Sequence, residues 1–168
     1  MTYLLSTVAL IALVIVAVVW DLRTRRIPNA LTVSGFFVAL VLRALPGGEA
    51  LLVGVLGGVI GLAISFPLVL LGGLGGGDAK LLAAVGAFLG PGGLPVALLV
   101  TALVGGAMAF ALAVQRRALG ETLRHARVLV GSVAMRAPAP ARDLKTPGAL
   151  TIPYGVAIGA GAIAGWLA

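Results

Sequence analysis

Asp21 and Asp78 are the two residues of this chain whose type and placement suit them to chemistry. Asp78 ends the glycine run Gly75-Gly76-Gly77 and opens an apolar stretch. Asp21 lies where the first apolar stretch meets Arg23, Arg25 and Arg26. The chain has only five acidic residues. A carboxylate costs up to ~3 kcal/mol at a bilayer centre and less towards the edge, so acidic groups at such boundaries are functional candidates. Two carboxylates held close together do not readily both ionise. They share a proton, and the pair can activate water while protonating a leaving group. Amide hydrolysis by that route needs no metal, thiol or serine triad. The chain has no cysteine and one histidine, His125, which excludes disulfides, thiolate nucleophiles and cysteine-ligated zinc. No metal or cofactor is expected, and for peptide hydrolysis an aspartyl mechanism is what remains. Taken singly, each aspartate also has an ordinary role: Asp78 as a helix N-cap, Asp21 as a neutraliser of the neighbouring arginines.

The elements that must position these residues belong in a membrane. Of 168 residues, 61% are hydrophobic and 10% charged, with a mean hydropathy of +1.18. A soluble core of this length cannot hide so much apolar surface. The fold class expected is all-α: one polytopic membrane domain over residues 1–168, with about six transmembrane helices at about 2–20, 30–46, 50–72, 79–90, 94–114 and 148–167. The fourth span is short, and Pro91, Gly92, Gly93 and Pro95 interrupt the sequence before the fifth. Two full helices and one re-entrant hairpin both remain open. The first span lacks a basic start and a small-residue cleavage site, so it reads as a retained helix rather than a signal peptide. Among 25 glycines, Gly54, Gly57, Gly58 and Gly61 form two small-xxx-small pairs suited to helix contacts.

Charge orients the spans. Eleven of the twelve Lys and Arg fall in the first, third and fifth connections, the fifth being the basic segment 115–147. By the positive-inside bias these are cytoplasmic and both termini lie outside. Asp21 and Asp78 then share the cytoplasmic side. Leu119, Leu123, Ala126 and Val130 recur at helical spacing among basic residues, which predicts an interfacial amphipathic helix or a continuation of the fifth span against anionic lipid. The +7 net charge is thus a topology signal. Without interleaved aromatic and basic residues it does not indicate nucleic acid.

Gly75-Gly76-Gly77-Asp78-Ala79-Lys80-Leu81 resembles the GxGD signature of the type IV prepilin peptidases, which are membrane aspartyl proteases. Asp21-Leu22-Arg23-Thr24-Arg25-Arg26-Ile27-Pro28-Asn29 resembles that family's first aspartate segment, and Ile152-Pro153-Tyr154-Gly155 its C-terminal Pro-aromatic segment. The three matches stand in family order and, with the spans, cover nearly the whole chain. The resemblance implies an endopeptidase of the bacterial inner membrane, with Asp21 and Asp78 as its catalytic pair at the cytoplasmic face. It would cut the short basic leader from a prepilin or pseudopilin helix, with membrane lipid as the other partner. Larger members add an N-terminal domain with paired cysteines, linked to N-methylation. This chain resembles the short, peptidase-only kind found with tight-adherence (Flp-type) pili.

Gly75, Gly77, Lys80, Pro28, Asn29, Pro153 and Tyr154 are expected in substrate-binding or supporting roles. Pro28 breaks the chain between spans, and Asn29 is placed to cap the second helix. Lys80 either steadies the pair or meets lipid phosphate. Pro153 is expected to kink the last span and expose backbone to substrate, and Tyr154 to pack. Two rival functions compete: a small transporter or channel component, and a noncatalytic subunit of a pilus or secretion assembly.

Overall fold

A computed structural model of the chain describes residues 1–115 and 152–168. Those residues form five helices and the short turns between them. The first, α1 (Thr2–Thr24), is apolar until Asp21. It stops because Arg25 adopts the left-handed conformation (φ 54°, ψ 29°) and donates its backbone N–H to the Asp21 carbonyl at 2.8 Å. A left-handed stop of this kind satisfies a terminal carbonyl, although a non-glycine residue costs about 1–2 kcal/mol there. Ile27 precedes a proline, which disfavours resumption of the helix. The next helix, α2 (Asn29–Ala44), starts immediately after Pro28. Here the expectation for Asn29 is corrected: Pro28 holds the N-cap position, with no side-chain cap, and Asn29 is the first helical residue. A turn through Gly47, at φ 139°, leads into α3 (Gly48–Leu70).

The fourth helix, α4 (Gly76–Gln115), is too long to be one rod across a bilayer, and it breaks at Gly90 (φ 70°, ψ −178°). This left-handed φ is readily available only to glycine. Pro91 then opens the second arm at the helix position that proline tolerates best. The expected loop over 91–94 is therefore absent, and these residues are already helical. The chain reverses at the break. Leu82 and Gly86 of the first arm oppose Gly61 and Gly57 of α3, and Gly90 reaches Val53 near the start of α3. In the second arm, Gly93 opposes Gly165 and Gly105 opposes Tyr154, at the two ends of α5 (Tyr154–Leu167). The arms, about 22 and 37 Å long at 1.5 Å per residue, form a hairpin with Gly90 at the end remote from Asp78.

The first arm is the core of the molecule. From Leu81 to Phe88 every residue is buried, as befits a helix apolar all round. The glycines of α3 face it so closely that a Cβ on Gly57 would overlap the Gly86 carbonyl, and one on Gly61 would come within 2.7 Å of the Leu82 carbonyl. The small-xxx-small reading of this stripe holds. Outward faces are apolar too: Leu4, Val8, Ile11 and Ile15 of α1 and Leu52, Leu56 and Val59 of α3 are exposed. Three helices, α1, α3 and α4, are long and apolar enough to cross a membrane, while α2 and α5 are shorter. Exposed apolar surface on this scale marks an integral membrane protein. The basic segment after Gln115, with its expected amphipathic helix at Leu119–Val130, lies outside the described residues, as do the first residues of the last expected span.

Candidate active site

Asp21 occupies the last turn of α1 and is only 5% exposed. Its Oδ2 accepts the backbone N–H of Gly155 at 2.7 Å. Gly155 is the second residue of α5, so its N–H is one of the first-turn donors that have no partner within their own helix. A helix start is also a favourable place for an anion. The approach depends on glycine: a Cβ on Gly155 would lie 3.0 Å from both the Cβ and Oδ2 of Asp21. Pro153 sits at the N-cap position of α5 (φ −74°, ψ 83°) and not within the helix. The expected kink is thus corrected to a start signal, and the backbone donor lies two residues further on, at Gly155.

Asp78 is the third residue of α4 and is half-buried. Its Oδ2 accepts the N–H of Gly75 at 3.1 Å, the reach-back half of a capping box. Asp78 therefore does help to cap its helix, and the residue stays partly exposed. Gly77 lies beneath the Asp21–Asn29 segment, and a Cβ on it would come within 2.9 Å of the Ile27 carbonyl. Lys80 Nζ donates to Asn29 Oδ1 at 2.8 Å. Neither expected role of Lys80 is what this contact shows. The lysine ties the start of α4 to the start of α2, with Pro28 between Ile27 and Asn29.

These contacts bring the two aspartates to the same end of the bundle, near enough for the charge of Asp21 to act on Asp78. Tyr154, half-buried beside Gly155, lies within the field of Asp78. The convergence does not come from α1 lying along α4. Instead α1 packs on α2 and α5 and has little direct contact with α4. The α1–α2 turn, resting on Gly77, and the start of α5 close the gap. One carboxylate is buried and anchored to backbone; the other is half-exposed. That pairing suits general acid–base work on a water molecule between them.

Gly155 was not among the expected site residues. Its signal was present in the sequence, as a glycine at the start of an apolar run directly after Pro-Tyr. A glycine there is uninformative until its partner is known.

A model of the type IV leader peptidase family matches residues 8–110. The matched stretch takes in Asp21, the α1–α2 turn, α3, Asp78 and the α4 hairpin, and the chain belongs to this family. Membership implies a peptidase held in a membrane. No curated protein and no solved structure gives a significant match.

Proposed function

We propose that this protein is an aspartic endopeptidase that removes the basic leader from prepilin-like substrates of the Flp type, at the cytoplasmic boundary of the bacterial inner membrane. The observation that carries the reading is the buried Asp21 carboxylate, held by the Gly155 N–H and within electrostatic reach of Asp78. In the proposed reaction a water molecule sits between the two carboxyl groups. The ionised member takes a proton from water as the oxygen attacks the scissile carbonyl. The protonated member donates a hydrogen bond to the developing oxyanion. Collapse of the tetrahedral intermediate breaks the C–N bond, and the departing amine receives the proton taken from water. The pair ends with the same number of protons as it began.

Six membrane crossings are proposed, with the two arms of α4 as the fourth and fifth and both termini outside. This orientation rests on the concentration of Lys and Arg in three connections. A substrate helix would approach laterally within the bilayer, so that its hydrophobic segment stays in lipid while its leader meets water beside Asp78. The test is to incubate the purified protein in detergent with a candidate prepilin and identify the new N-terminus by mass spectrometry. Cleavage at the leader boundary that is lost in both Asp21→Asn and Asp78→Asn supports the proposal. Undiminished cleavage by either variant overturns it.

A further inference from the structure

Arg43 departs from the charge pattern of the whole chain. It is the one of twelve Lys and Arg outside the three connections that the charge bias assigns to a single side. It lies in the last turn of α2, at the end of the bundle that holds the Gly90 break and is remote from the aspartates. A guanidinium next to lipid requires partners. Arg43 has one in the carbonyl of Phe88, which accepts from a terminal nitrogen at 2.5 Å. Phe88 lies two residues before the break, where the regular helical bonding of α4 ends. A guanidinium has five N–H donors in a planar fork, so this contact leaves most of its capacity for another acceptor.

Beside Arg43 lies a cavity of about 450 Å³. Arg43, the hydroxyl-bearing Thr2 and Ser6, and the ring pair Tyr3–Trp166, stacked at 5.1 Å between centroids, contribute its polar and aromatic lining. Among the described residues, no carboxylate lines it. Tyrosine and tryptophan at helix ends mark the headgroup level of a bilayer. Leu4 of α1, Leu45 at the C-cap of α2 and Leu52 of α3 are exposed. A cation, hydroxyl donors and aromatic edges thus form a polar recess, with leucines exposed on the surrounding helices.

We propose that this cavity binds a phospholipid through its headgroup phosphate. The guanidinium forms charge-assisted hydrogen bonds to the phosphate oxygens, and the hydroxyls of Thr2 and Ser6 complete the shell. The acyl chains lie along the exposed leucines. A lipid is favoured over free phosphate because the recess sits among side chains that water does not solvate well. The bound lipid would brace α1, α2, α5 and the reversal of α4 at the end opposite the aspartates. None of this depends on the peptidase reading.

The test uses the full chain, purified from membranes of phosphatidylethanolamine and phosphatidylglycerol and examined by native mass spectrometry. Two variants accompany it. Arg43→Gln removes the charge but keeps an amide donor for the Phe88 carbonyl. Ala50→Trp fills the cavity from α3 and leaves Arg43 in place, so the test stands even if Arg43→Gln folds poorly. The expected result is one phospholipid retained by the parent protein after the remaining lipid has been stripped, with retention reduced about tenfold or more in each variant, as for loss of a charge-assisted contact. Equal retention by the parent and Ala50→Trp overturns the proposal. So does thermal stabilisation by inorganic phosphate alone with no lipid retained, which would make the site one for the free anion.

Discussion

Asp21 and Asp78 differ in how they are held, and the difference predicts different behaviour on substitution. Asp21→Asn keeps an oxygen that can accept from the Gly155 N–H, so the fold should survive while the acid–base function is lost. Asp78→Asn likewise keeps an acceptor for Gly75. Each variant should lose about 10²–10⁴-fold in leader cleavage, the range for general acid–base groups, with little change in thermal unfolding in detergent. A large fall in melting temperature alongside the lost activity would instead mark a structural role. Gly155→Ala is the sharper probe. Its Cβ would press on the carboxylate of Asp21, so turnover should fall about 10²-fold, as for a 1 Å misplacement at a reacting centre, with KM for the prepilin nearly unchanged. Lys80→Ala removes only the exposed contact with Asn29 and should cost at most about 1 kcal/mol of stability, as measured by the same unfolding assay.

At the scale of elements, the α3–α4 contact and the α4 break carry the architecture. Backbone-to-backbone packing leaves no room for a side chain between Gly57 and Gly86. Gly57→Leu or Gly86→Leu should therefore destabilise by about 1–3 kcal/mol or more, as overpacked cores do, seen as a lower melting temperature in detergent. Gly90→Ala meets two penalties: a left-handed φ of 70°, worth about 1–2 kcal/mol, and a Cβ within 2.7 Å of Val53. Much of this was legible in advance. Apolar length marked the helices, Pro28 marked the start of α2, and the spacing of Gly54, Gly57, Gly58 and Gly61 marked a contact face. The end of the fourth span at residue 90 coincides with the break, but the loop expected over 91–94 does not exist, because Pro91, Gly92, Gly93 and Pro95 all read as breakers. A proline in the first turn of a helix costs almost nothing, so only the conformation of Gly90 separates the end of one arm from the start of the next.

For the whole molecule, the orientation is open to direct measurement. The absence of native cysteine makes single-cysteine labelling clean. Thr24→Cys should react with a membrane-impermeant thiol reagent only after the cytoplasmic face is exposed, and Tyr3→Cys should react in intact spheroplasts. The reverse pattern would invert the proposed topology. Composition and loop charge alone point to a helical membrane protein and lead to the expectation that its two unusual carboxylates share one side. Those properties follow from local composition, since apolar length and loop charge act through each segment's own transfer into lipid. How the carboxylates come within electrostatic reach of each other depends on tertiary packing: Asp21 accepts from the N-terminus of α5, 134 positions away in the chain, and Gly77, next to Asp78, rests under the turn that follows Asp21. Such approaches depend on which glycines lack a Cβ at a point of backbone contact. In a chain with 25 of them, no local pattern distinguishes the one that receives a carboxylate from those that receive a helix.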